Sequence, residues 1–155
     1  MDYGQKLLFD QLYKKGYNMY DIQIGVDSLH NRDFVIYKGC VALRVTSDNL
    51  FDWGKVYAFL GIEKPIQNMQ CLYSDSTFSY CSMYKMEPND KYKLVYCFRS
   101  GECDGTAYMS KENYDILTKY MKSIPYQGSL MCDFDKNIFV YMIDEQIYAI
   151  VLGCC

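Results

Sequence analysis

The sequence predicts an α+β fold, a mostly antiparallel sheet with three helices, in one domain spanning residues 1–155. Three observations carry this reading. Short runs rich in Tyr, Val, Ile and Phe alternate with turn residues. Apolar stripes at helical spacing stand behind good caps. The two halves of the chain also match each other in order and spacing. A chain of 155 residues buries roughly two thirds of its unfolded surface and folds without staples.

Residues 2–15 read as a helix, because Leu8, Phe9, Leu12 and Tyr13 share a stripe that ends in Lys14, Lys15 and Gly16. Asp21 to Val26 reads as a short strand and Ser28 to Asp33 as a loop, so residues 1–33 form an N-terminal helix and loop. Phe34 to Tyr37 and Cys40 to Val45 are extended runs joined through Lys38 and Gly39. The second helix starts at the caps Thr46, Ser47 and Asp48, carries Trp53, Val56, Tyr57 and Leu60 on one stripe, and ends at Gly61. Strands follow at Met69–Tyr73, Thr77–Tyr84 and Tyr92–Phe98, with Glu87 to Lys91 as a separator, and a short one at Thr106–Met109. A third helix begins at Ser110, presents Leu117, Tyr120, Met121 and Ile124, and stops before Pro125.

The last stretch, Ser129 to Leu152, reads as a three-stranded meander. Asp135, Lys136 and Asn137 supply one turn, and Asp144 and Glu145 are the right length for a two-residue hairpin. Ala149, Ile150 and Val151 leave no polar position, which marks a strand covered on both faces.

Trp53, Val56, Tyr57 and Leu60 lie over Leu117, Tyr120, Met121 and Ile124 at an offset of 64, and Phe78 and Tyr80 lie over Phe139 and Tyr141 at an offset of 61. The spacing predicts two pseudo-symmetric strand-helix-strand-strand repeats, residues 34–98 and 99–155.

Sixteen Lys and Arg against nineteen Asp and Glu give a formal charge of −3, without a like-charge run. That excludes the concentrated basic footprint of a nucleic-acid binder and favours cationic molecules or basic proteins as partners. No apolar run approaches the roughly 20 residues that span a bilayer, and the start at Met1 and Asp2 lacks the order of a secretory signal. The expectation is a cytoplasmic protein without a membrane partner or cofactor. Eight cysteines without a C-x-x-C pair, beside one histidine, make no zinc set and read as small buried hydrophobes. Cys154 and Cys155 are expected to fray.

Chemistry is sparse. His30 has no partner at catalytic spacing and reads as a surface side chain. The segment YSDSTFSY lacks a nucleophile elbow and reads as a polar turn. Gly101 and Gly105 enclose Glu102, Cys103 and Asp104, an acidic turn where a phosphate loop would need amide donors. Asp133 and Asp135 lie on one side of a strand and read either as a carboxylate pair or as turn-flanking residues. The aromatic excess is the strongest signal. Seventeen tyrosines supply apolar area with a polar tip, suited to clefts and interfaces.

The stretch GCVALRVTSDN, the Trp53 helix and IQNMQCLYSDSTFSY, with weaker echoes in ENYDILTKYMKSI and MCDFDKNIFVY, resembles the gyrase-inhibitor-like, AraC-type effector-binding domains. The resemblance implies a groove between the repeats that takes a small cationic or aromatic molecule, lined by Trp53, Tyr80, Tyr96, Glu102 and Tyr141. The expected function is a non-catalytic stand-alone ligand-binding module. The alternative, suited equally by composition, is an acidic immunity or inhibitor protein that covers a basic toxin or other protein partner.

Overall fold

The computed structural model describes residues 22–27, 32–38, 40–45, 67–69 and 73–154. The chain divides into two compact units, Met1–Ser74 and Asp75–Cys155.

In the first unit, β1 (Ile22–Asp27), β2 (Arg32–Tyr37) and β3 (Val41–Arg44) form an antiparallel series, and β4 (Gln67–Asn68) adds in parallel to β1. The β2–β3 hairpin turns at Lys38, whose φ of 52° is left-handed, and Cys40 N–H donates to Tyr37 O at 3.1 Å. Register sets the faces. Ile24, Val35 and Leu43 align on one side and are fully buried, while Phe34, Ile36 and Ala42 on the other side are buried as well. Strands covered on both faces explain the nearly unbroken apolar runs FVIY and VAL. Gly25 is the gap that lets Met69 in, since a Cβ there would stand 2.5 Å from the Met69 sulfur.

The second unit holds two sheets and a helix. One sheet runs β11 (Gln146–Leu152), β10 (Ile138–Ile143), β9 (Ser129–Asp133), β5 (Ser79–Tyr80), all antiparallel neighbours. The other runs β6 (Ser82–Asn89), β7 (Lys93–Arg99), β8 (Thr106–Ser110). Helix α1 (Lys111–Ser123) starts at Ser110, whose hydroxyl accepts from Asn113 N–H at 3.3 Å, and ends at Ile124 before Pro125. Its cap and stop are those that the sequence predicts, while of the expected stripe Leu117, Tyr120 and Ile124 are buried and Met121 is half-buried. Ile116, Leu117 and Tyr120 are its buried face.

The core of this unit is aromatic. Phe139 on β10 meets Phe98 on β7 edge-on at 4.9 Å, Phe98 meets Tyr114 of the helix at 6.2 Å, and Tyr114 sits edge-on to Tyr96 at 4.5 Å. Such pairs contribute about 0.5–1.5 kcal/mol each beyond the area they bury.

The final meander forms as expected. Asp144 and Glu145 both take positive φ, 50° and 65°, the pattern of a primed two-residue turn. Ala149, Ile150 and Val151 are buried, as a strand without polar positions requires.

The α+β balance with three helices is corrected. Among the described residues the fold is mostly antiparallel sheet with a single helix. Residues 79–110 are rich in Tyr, Met, Val and Cys at strand spacing, and form four strands with no helical stripe among them. The expected helices at 2–15 and from Thr46 to Gly61 lie outside the described residues, as does His30. Strand boundaries also moved. Met69 follows β4 in a turn and Tyr73 has helical backbone, so neither stands in a strand. The expected separator Glu87 to Lys91 is strand as far as Asn89. Cys154 is not frayed, since it is buried and its N–H donates to Tyr108 O at 2.8 Å.

Candidate functional site at the β6 edge

The long hairpin β6–β7 is closed by Asn89, whose Oδ1 accepts from both Lys91 N–H and Tyr92 N–H at 2.9 Å. Lys93 takes a φ of 65° and Leu94 N–H turns back to Tyr92 O at 2.7 Å. Within the strand, Pro88 pairs with Leu94 and Met86 with Tyr96. Proline carries no N–H, so its place in a strand is one where that group would point off the sheet. The ladder alternates every two residues. The N–H and C=O of Met86 therefore point away from β7, off the free edge.

Among the described residues β6 has β7 as its one neighbour in the three-stranded sheet, and Ser82 to Met86 are all exposed. Among the described residues the exposed large apolar side chains are Tyr80 (58%), Met83 (41%), Tyr84 (37%), Met86 (58%) and Tyr126 (64%). Three of these five, Met83, Tyr84 and Met86, lie on β6, and Tyr80 precedes it on β5, which sets this edge apart from scattered surface apolar groups. A register shift between Met83 and Lys85 makes a bulge at Tyr84. The Arg99 guanidinium lies 4.8 Å from the Tyr84 ring centre, and Lys85 Nζ lies 5.7 Å from it. Lys85 also pairs with Glu87 at 2.5 Å. The hydrogen bond between them holds the Glu87 carboxyl below its ordinary range and pushes the Lys85 ammonium above its own.

The residues expected to line a ligand groove are dispersed. Trp53 lies outside the described residues. Tyr80 is on the two-residue edge strand β5. Tyr96 is a core side chain, 8% exposed and stacked on Tyr114. Glu102 is exposed in the loop before β8, its N–H donated to Ser100 Oγ at 3.1 Å. Tyr141 is 3% exposed, and its hydroxyl accepts from Gly128 N–H at 2.7 Å. Register separates the two tyrosines that the repeat pairs. Tyr80 stands opposite Met131 and Met131 opposite Val140, whereas Tyr141 stands opposite Leu130. Tyr80 and Tyr141 thus point to opposite faces of one sheet.

Cavities among the described residues of this unit include the following two. One, of about 350 Å³, runs between Met121, Tyr126 and Tyr141. The other, of about 470 Å³, is bordered by Lys91, Tyr92, Lys93 and Lys111, where Lys111 pairs with Asp115 at 2.5 Å.

Asp133 and Asp135 are not a carboxylate pair. Asp133 is buried, and its carboxylate accepts from Asp135 N–H (3.0 Å), Lys136 N–H (3.1 Å) and Thr77 N–H (3.2 Å). It organises the turn and ties down the segment leading into β5. In the first unit, Tyr73 OH donates to the buried Asp27 at 2.6 Å. Burial, then that bond and the Asp27 charge, push the Tyr73 phenol far up. Arg44, buried as well, shares the Asp27 face by register.

Of the described cysteines, Cys97, Cys132 and Cys154 are buried, Cys40 and Cys81 are partly buried, and Cys103 is exposed, contrary to the reading of the cysteines before Cys154 as small buried hydrophobes. Burial pushes the Cys81 thiol up to about 12 and raises those of Cys132 and Cys97. Among the described residues no group of three His, Cys, Asp or Glu could hold a metal ion, and no helix is long and apolar enough to cross a membrane.

Met83 and Met86 were not legible as surface groups in the sequence. Pro88 was the available signal, because a proline inside a strand pattern marks an edge. Comparison with protein-family models, with characterised proteins and with solved structures returns no match.

Proposed function

We propose that the chain is a non-catalytic protein-binding module whose docking element is the β6 edge. It acts by strand addition to an extended segment of its partner. The observation that carries this reading is the run Met83, Tyr84 and Met86, exposed along the β6 edge, whose backbone groups at Met86 point outward. Strand addition draws affinity from main-chain hydrogen bonds and specificity from alternate side chains, and this edge offers both.

The reading is the interaction-protein alternative of the sequence rather than the ligand module. The hairpin carries Lys85, Lys91, Lys93 and Arg99 against Glu87 and Asp90, so its local balance is opposite to that of the whole chain. A strongly basic partner finds no complement at this surface.

Selection of displayed random extended peptides against the full chain tests the proposal. Recovered peptides are expected to bind wild type and to lose binding to Met86→Pro, with the far-UV spectrum of the variant unchanged. A small organic cation that raises the melting temperature equally in wild type and Met86→Pro, with no peptide recovered, would overturn it.

A further inference from the structure

We infer that the strand added to β6 is β6 of a second copy, paired antiparallel about a two-fold axis through Met86. The inference rests on the reading of β6 as a docking strand and names its occupant. Three features of the edge support it.

The first is hydrogen bonding. Where such an axis passes through a hydrogen-bonded pair, the residue on it offers both N–H and C=O off the edge, because the two copies exchange both bonds. Met86 is placed to do so. The neighbouring outward position, Pro88, still offers its C=O toward the second copy.

The second is charge. Lys85 and Glu87 flank Met86 and share one face of β6, where they already touch at 2.5 Å. With Met86 opposite Met86, Lys85 of each copy stands opposite Glu87 of the other. These flanking positions are non-hydrogen-bonded pairs, in which side chains approach most closely. The result is a closed ring of four alternating charges. The adjacent two-fold registers are disfavoured, since centring on Lys85 puts Lys against Lys and centring on Glu87 puts Glu against Glu.

The third is apolar cover. Met86 is 58% exposed on the face that also carries Tyr96 and Phe98, and pairing would bring the two Met86 side chains together across the axis. The bulge at Tyr84 and the missing N–H of Pro88 bound the pairing on either side. Growth beyond a dimer is then blocked, as protected edges require.

Sedimentation equilibrium of the full chain tests this. Wild type is expected to shift reversibly from monomer to dimer with concentration. Lys85→Glu and Glu87→Lys, each alone, are expected to dimerise about tenfold or more weakly, because both flanking pairs become repulsive. An equimolar mixture of the two variants is expected to recover the wild-type association, since a copy acidic at both flanking positions then faces a copy basic at both. Met86→Pro is expected to be monomeric with an unchanged far-UV spectrum. A wild type that stays monomeric at the highest attainable concentration would overturn the inference, as would single variants that associate as well alone as mixed. If wild type is monomeric while selected peptides still bind β6, the second copy is the wrong occupant and the docking strand stands. If no peptide binds either, the docking strand falls with it.

Discussion

Removing the Asp133 carboxylate tests the second unit at the point where its turn and its edge strand meet. Three backbone N–H groups converge on it, from Asp135 and Lys136 in the β9–β10 turn and from Thr77, three residues before Tyr80. A hydrogen bond to a charged acceptor contributes about 1.5–3 kcal/mol net when buried. Asp135, Lys136 and Thr77 are themselves exposed, so water recovers part of the loss at each donor. The sum for Asp133→Ala is about 3 kcal/mol, well above the ~0.5 kcal/mol of an ordinary surface change. Asp133→Asn keeps one carbonyl oxygen for the turn and is expected to lose about half as much. Asp135→Ala is the control, because its side chain accepts none of these bonds. Urea unfolding followed by circular dichroism reads the midpoint, and a constant slope confirms that stability alone changed. Equal losses at Asp133 and Asp135, or a loss at Asp133 below about 1 kcal/mol, would refute the assignment of Asp133 as the organiser of this corner.

Other outcomes follow from the same physics. Phe139→Ala removes a fully buried ring that touches Phe98 and is expected to cost about 3–5 kcal/mol, read as a lowered melting temperature. Glu145→Gly relieves a left-handed side-chain residue (φ 65°) in the β10–β11 turn and is expected to stabilise the fold by about 1 kcal/mol in the same scan. At alkaline pH the Cys81 thiol matters. Its folded value, about 12, lies above the ordinary 9.0, so its contribution is intact below pH 9 and is lost as pH rises toward 12. Tyr73, raised above its ordinary 10.0, adds a loss in the same direction above pH 10. Midpoints measured from pH 8 upward should fall, and Cys81→Ala should flatten the first part of that fall. Among Cys81, Cys97, Cys103 and Cys132, a neutral thiol reagent is expected to modify Cys103 first, because it is exposed while burial raises the other three. Peptide mapping would identify it.

What the sequence shows is local chemistry, and what it hides is which surface faces water. The helix at Ser110 was legible because cap, stripe and terminating Pro125 all lie within sixteen residues of one another. The meander was legible for the same reason, with turn residues between runs of Ile, Val and Tyr. β6 was not, because Glu87, Pro88, Asn89 and Asp90 carry the composition of a loop, while pairing with β7 holds the first three of them in strand. Burial was the harder quantity. Tyr80, Tyr96 and Tyr141 are the same residue type in similar runs, yet one is 58% exposed and the others 8% and 3%. Only register and the number of neighbouring strands separate them. Candidate aromatics of a groove cannot be picked from composition when the core is itself built of Tyr and Phe.

The meander has a further consequence for the order in which the second unit assembles. β9, β10 and β11 are successive in the chain and adjacent in the sheet, joined by a turn and a two-residue hairpin, so each pairing closes only a short loop. β5 pairs with the same sheet from 53 residues away, Ser79 against Cys132, and must wait for a larger loss of chain freedom. Substitutions in β10 are therefore expected to slow folding, and those at Ser79 or Tyr80 to quicken unfolding, a split that a chevron plot would display. On that order β5, which leads directly into the exposed strand β6, is set last, upon a sheet already formed.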